Sequence, residues 1–302
     1  MAGKYIRRHT GRGSYDLFSN YAHYVPGYGG MMMLFLMFLL GALLGNIVTG
    51  ALTLVSPEFV TRYGMVISYP LMFVPVLLYA SANSRRNEFF ETGYAVDSRH
   101  FGQLGGFRMA LIVSVATMAV AFIADSLNLL LPAVPEWFEQ IMDQMMTGPV
   151  WITLISVSVF APLFEEWLCR GLVLRGLLQK THPASAIMVS AAFFAILHMN
   201  PWQALPAFLL GILFGYVYYR TGSLKLTMLM HCVNNTMAVV FSKIPSLAEA
   251  DSFKDVMNPW TYAGIIIASI AFTAGAVVVL RNIPLGKEGA RSNCDEIPPM
   301  NI

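Results

Sequence analysis

Charge is scarce in this sequence: only 12% of its 302 residues are Asp, Glu, Lys or Arg, and the formal net charge is +2. So small a surplus excludes a nucleic-acid-binding surface, which needs a dense basic patch. Cysteine is scarce as well, with Cys169, Cys232 and Cys294 alone, so no disulfide framework is expected. The chain has no internal repeat and no separate soluble domain. It also lacks His-Glu-x-x-His, Gly-x-Gly-Asp and Gly-x-Ser-Gly, which argues against site-2-type, aspartyl and serine intramembrane protease chemistry.

Apolar residues fill the space that charge leaves. They make up 56% of the chain, and the mean hydropathy is +0.59, a membrane-protein composition. The expected fold is all-α, a multi-pass transmembrane helical bundle in a lipid bilayer. A helix needs about 20 predominantly apolar residues to cross one. Eight stretches are read as spans, at 30–55, 64–82, 108–132, 149–169, 184–200, 202–219, 225–242 and 260–280.

With eight spans, all of the 19 Lys and Arg except Arg62, Lys243 and Lys254 fall on one side, which the positive-inside rule makes cytoplasmic. Both termini are therefore expected in the cytoplasm. The first apolar run, from Met31, is too long for a leader and is read as a span. The organisation follows: a basic cytoplasmic segment over 1–29, a transmembrane domain over 30–281 with a core at 150–241, and a polar, disordered cytoplasmic tail over 282–302. Cys294 is followed by eight residues, so the tail is not a prenylation signal. Residues 84–106 form the longest polar loop, a candidate interfacial segment. Over 135–146, Trp137, Phe138, Ile141 and Met145 recur at helical spacing, predicting an amphipathic helix on the outer surface.

Polar residues inside the apolar stretches then single out three places. Glu165 and Glu166 end the run from Trp151 to Phe164, where an ionisable group is costly and marks a functional site by default. Glu166 and Arg170 stand at i and i+4 in the favourable acid-first order, and Glu165 points about 100° away around the axis. This predicts a local ion pair and a free Glu165. The bland alternative is a carboxylate pair capping a span. Next comes Phe194-x-x-x-His198, closed by the helix-ending Asn200-Pro201. His231 and Asn235 then share one face of another apolar segment, with Asn234 beside them.

Glu165 lies about 16 residues before the turn near 181–183 and His198 about 16 after it, so both stand about 24 Å from that turn. His231 reaches their height if the stretch 172–180, read as amphipathic, projects into the cytoplasm. The expected site is a cavity in the cytoplasmic half, with Asn200-Pro201-Trp202 as a re-entrant junction.

Glu-Glu-x-x-x-Arg, Phe-x-x-x-His and His-x-x-x-Asn, in order on successive apolar segments between 150 and 241, resemble the CPBP family, also labelled Abi. It contains the eukaryotic CAAX prenyl endopeptidases and bacterial members linked to bacteriocin processing and self-immunity. The resemblance implies intramembrane proteolysis. Glu165 would be the catalytic glutamate, and His198 would help it activate water. His231 and Asn235 would stabilise the oxyanion, and Glu166 and Arg170 would support them. It also implies either a metal-free glutamate mechanism or a metalloprotease, with Glu165, His198 and His231 as ligands of a divalent metal such as zinc. The partner would be a peptide or lipidated-peptide substrate, and the location the inner (plasma) membrane of a bacterium.

Gly41 with Gly45 and Gly211 with Gly215 are small-residue spacings suited to close helix packing, on which a homodimer could also be built. A transporter would use the same acid and histidines as a relay, although no inverted repeat accompanies them. A non-proteolytic scaffold or immunity protein would keep the cluster for folding.

Overall fold

The computed structural model describes residues 18–89, 93–248, 250 and 252–283. The proposed tail, all but its first two residues, and most of the proposed N-terminal segment lie outside them. Among the described residues the structure is 82% helical and has no strands. Nine longer helices organise the described residues: α1 Tyr28–Val55, α2 Pro57–Asn87, α3 Gly105–Asn128, α4 Glu136–Thr147, α5 Val150–Leu178, α6 Pro183–Leu197, α7 Pro201–Thr221, α8 Leu224–Phe241 and α9 Pro259–Arg281.

All eight expected stretches are helical, but among the described residues six helices are long and apolar enough to cross a bilayer. The two that fall short are α6, with 15 residues, and α8, which carries the His and Asn residues. At about 22 Å, α6 is shorter than the roughly 30 Å hydrocarbon core of a bilayer. Its turn into α7 is covered by α4, where Phe138 packs 5.2 Å from Trp202 and the Trp202 indole donates to Pro132 O. The amphipathic helix expected at 135–146 is this α4.

Short connections are written in the helix starts. Pro57, Pro183, Pro201 and Pro259 open their helices, where a missing N–H costs nothing. His182, Asn200, Ser223 and Asn258 precede the starts of α6 to α9 and accept backbone N–H groups through their side chains. Gly222 ends α7 at φ +65, and a Cβ there would lie 2.1 Å from Ser98 Oγ. Both the left-handed backbone and the space demand glycine.

The small-residue spacings serve contacts within the chain. A Cβ on Gly41 would fall 1.8 Å from Met72 O, so α1 and α2 approach backbone to backbone. Gly211 and Gly215 likewise face Ala191 and Ile187 of α6.

One end of the bundle is tied by arginine. Arg175 donates to the carbonyls of Gly171, Ala22, Tyr94, Tyr21 and Tyr24. Every residue from Leu172 to Leu178 is buried. The amphipathic projection expected over 172–180 is therefore corrected: this turn of α5 is packed beneath residues 21–25 and 94. The loop after α2 also packs inward, with Ser98 N on Gly222 O and His100 N on Thr221 O, instead of lying apart as an interfacial segment. Asp97 accepts from the N–H groups of Leu224 and Lys225 and pairs with the Lys225 ammonium at 3.1 Å, placing an anion at the start of α8. Arg220 binds the carbonyls of Leu280, Arg281 and Ile283, so the end of α9 lies at this same end.

Replacing Asp97 with Ala removes that N-terminal cap and is expected to destabilise the fold by about 1–2 kcal/mol. Thermal unfolding of the detergent-solubilised protein measures this. An unchanged midpoint would show that the carboxylate does not anchor α8.

Candidate active site

Two segments of wide, π-helical turns, Leu154–Phe160 and Trp167–Leu174, flank the Glu165–Glu166 pair on α5. Such turns recur where a helix must re-aim side chains. The carboxylates part as helical phase predicts. Glu166 is fully buried and pairs with Arg170 at 2.7 Å. The Arg170 guanidinium also donates to Gly211 O of α7 and lies 4.6 Å from the centre of the Phe194 ring on α6. Glu166 Oε1 in turn faces His231 Nδ1 of α8 at 3.1 Å. One ion pair therefore reaches three neighbouring helices.

Glu165 faces the other way. Its Oε1 accepts the phenol O–H of Tyr69 on α2. Its Oε2 is buried with no hydrogen-bond partner, and His231 Nε2 stands 3.9 Å away. That gap is ion-pair range and too long for a direct hydrogen bond. Because Nδ1 is directed at a carboxylate, Nε2 can donate only when the ring carries both protons.

His198 joins through the aromatic wall. Its ring meets the Phe194 ring edge-on at 5.1 Å, and His231 meets the same ring edge-on at 5.5 Å. His198 Nδ1 donates to Phe194 O at 2.9 Å, which leaves Nε2 as the acceptor of the neutral imidazole. His198 has no hydrogen bond to either glutamate among the described residues. Met199, next in the chain, has φ 54, a left-handed conformation that costs a non-glycine residue about 1–2 kcal/mol. It reverses the chain within two residues, between the end of α6 and Asn200.

Asn235, one turn beyond His231, donates its amide to Val157 O at 2.8 Å, and Asn234 donates to Asn235 Oδ1 at 3.1 Å. Asn235 thus meets α5 within the first wide-turn segment, with Asn234 behind it.

Glu166, Arg170 and His231 are joined directly, and Glu165 stands within ion-pair range of His231. His198 is linked through Phe194, and Asn235 through the backbone of α5. The trio offered for a divalent metal, Glu165, His198 and His231, is not drawn together as a ligand set. Among the described residues, no three His, Cys, Asp or Glu side chains form a group that could hold an ion.

Sequence reasoning missed Tyr69. It sits in an aromatic stretch of α2 that reads as packing, and its ring does pack, 5.9 Å from Phe73, which stacks on Phe164 at 5.0 Å. Only its hydroxyl reaches the site, and a phenol in an apolar stripe carries no motif.

A cavity of about 890 Å³ lies between α1, α2, α4 and the start of α5, with Tyr69 and Met199 among its lining residues. It also reaches Arg62, Gln144 and Gly148, at the end of the bundle opposite the Arg175 cluster. At the Arg175 end, by contrast, the described residues 172–178 are buried.

Residues 147–237 match the model of the type II CAAX prenyl endopeptidase Rce1-like family, which bears out the resemblance drawn from the three motifs. The chain is 27% identical over 107 residues to "Putative membrane peptidase YdiL" of Bacillus subtilis, covering 35% of this chain and 43% of that protein. It is 29% identical over 135 residues to an uncharacterized 24.3 kDa protein of Escherichia coli, covering 42% and 62%. The chain therefore spans less than two thirds of either relative's length. No solved structure matches.

Arg170→Met alone strands a buried carboxylate and is expected to cost about 3–5 kcal/mol, whereas adding Glu166→Gln recovers part of that loss. A double-mutant cycle on unfolding free energies measures the coupling. Strictly additive losses would mean that the pair does not act as a unit.

Proposed function

With residues 147–237 matched to the Rce1-like family, we propose that this integral membrane protein is an intramembrane endopeptidase. It would hydrolyse a peptide bond in a membrane-associated or lipidated substrate, in the plasma membrane of a bacterium. The observation that carries the reading is Glu165 Oε2, a buried carboxylate oxygen without a hydrogen-bond partner, facing an imidazole across 3.9 Å. A buried acceptor left unmatched is costly and suits a group that takes a proton during a reaction.

The chemistry runs through this chain's own groups. Glu165 Oε2 takes a proton from water as the water oxygen bonds to the scissile carbonyl carbon. Tyr69 holds the other carboxylate oxygen, so the basic oxygen has a fixed direction. His231 Nε2, with its ring doubly protonated, and the second amide N–H of Asn235 donate to the oxyanion that forms. His198 Nε2, free to accept, orients the water. The proton held on Glu165 passes to the leaving amine as the C–N bond breaks. A divalent metal held by Glu165 and the histidines would supply Lewis acidity and a more acidic bound water. The resting arrangement lacks that ligand group, so no step depends on it.

The protein reconstituted in liposomes is expected to cleave a membrane-tethered reporter peptide. Glu165→Ala and His198→Ala should each lower the rate by about 100-fold or more while the helical circular dichroism is retained. Unimpaired cleavage by Glu165→Ala contradicts the mechanism. An inactive wild type in which Glu165→Gln alters ion flux would favour a transporter. Tyr69→Phe keeps the ring and loses the hydroxyl, so it should lower kcat by about tenfold with KM little changed. A change confined to KM would place Tyr69 in substrate binding instead.

A further inference from the structure

The end of α6 is held by side chains. His198 N–H bonds to Ala195 O at 3.2 Å, a tight last turn that leaves Phe194 O to the His198 ring. The His198 carbonyl accepts from Asn200 Nδ2 at 2.7 Å. The orientation of that amide is forced. Asn200 Oδ1 accepts the Gln203 backbone N–H at 2.8 Å, so Nδ2 faces the His198 carbonyl, which can only accept.

Asn200 Nδ2 also donates to Gln203 Oε1 at 2.7 Å, and Gln203 Nε2 reaches Met142 Sδ of α4 at 3.5 Å. Asn200 and Gln203 thus form a clasp whose outer end rests on α4, beside the Phe138–Trp202 contact. The clasp spans a strained turn. Met199 lies between His198 and Asn200 at φ 54, and its side chain is 66% exposed, so its own packing contributes little to holding that conformation. What bridges it is the amide of the residue after, bonded to the carbonyl of the residue before.

We propose that Asn200 is a positioning residue for His198. By clasping the His198 carbonyl across the strained turn, its amide fixes the backbone from which the imidazole projects, and the Nδ1 bond to Phe194 O then sets the direction of Nε2. Without the clasp the turn relaxes toward negative φ, which tilts His198 and breaks the Nδ1 bond in part of the molecules. The inference rests on the protease reading for its effect on rate, whereas the fixed ring is a property of the resting protein.

Asn200→Asp separates this role from helix capping. A carboxylate caps the start of α7 as well as an amide does, so the thermal midpoint should stay within about 4 °C of wild type. The Gln203 amide can turn over to meet the new oxygen, but the His198 carbonyl cannot, and it faces an acceptor where it had a donor. Asn200→Ser, a neutral cap without the amide N–H pair, controls for the added charge. Nitrogen-15 NMR of the histidine rings reads the effect directly in the full chain in nanodiscs, at a mildly alkaline pH that keeps imidazole neutral. The His198 signals are identified by their absence from His198→Ala. Wild type should give one set of them, protonated at Nδ1, and both Asn200 variants should broaden or split it. In liposomes with the tethered reporter, both variants should lower kcat by about tenfold, with KM changed by less than about twofold. A single sharp His198 set in the variants, displaced or not, overturns the proposal, as does cleavage at the wild-type rate. Should the ring signals split in the variants while wild-type protein never cleaves, the protease reading fails and the positioning role stands.

Discussion

The buried Glu166–Arg170 pair is the contact on which the rest of the site depends. Neither side chain has access to water, so each needs the other to offset the cost of desolvation. The pair's further contacts lie on different helices: the guanidinium donates to Gly211 O on α7 and lies over the Phe194 face on α6, and the carboxylate meets His231 Nδ1 on α8. An ion pair one turn long thereby sets the positions of three helices relative to α5. Its carboxylate also fixes the proton on His231 Nδ1, which determines what Nε2 can offer to Glu165. The adjacent acid has no arginine partner and takes its hydrogen bond from Tyr69 instead, an asymmetry on which the proposed mechanism rests.

Much of this was legible in the sequence because it depends on local spacing. The i, i+4 order of Glu166 and Arg170 forces a pair wherever the segment is helical, and the division between Glu165 and Glu166 follows from helical phase. The eight helical stretches followed from hydropathy. What hydropathy overcounted was crossing: α6 is apolar but short, and α8 trades apolar residues for the site's His and Asn. Tyr69 was hidden because a single hydroxyl in an aromatic stretch has no periodic signature. The stretch 172–180, which carries Arg175, was misread for a related reason. A basic residue in a turn reads as solvated, but five backbone carbonyls from chain-distant and nearby residues solvate it in place of water.

Those carbonyl ties give the bundle two different ends. At the one rich in arginine and lysine, Arg175 ties the buried turn 172–178 to carbonyls of residues 21–24 and 94. At the other, α4 lies across the α6–α7 turn, and the cavity reaches from Arg62 and Gln144 down to Tyr69. The sequence put the opening at the basic end because it treated 172–180 as a projecting amphipathic turn. That turn is buried, and the cavity that reaches Tyr69 lies toward the opposite end, along α2.

The central claim is that Glu165, His198, His231 and Asn235 converge on one reacting carbon. An experimental structure of the protein bound to a peptide carrying a tetrahedral phosphonamidate in place of the scissile amide tests it most directly. The account predicts one phosphoryl oxygen within hydrogen-bond distance of His231 Nε2 and the Asn235 amide, and the other beside Glu165 Oε2 and His198 Nε2. A phosphoryl group seated away from Glu165, with these four side chains facing different surfaces of the bundle, would contradict it.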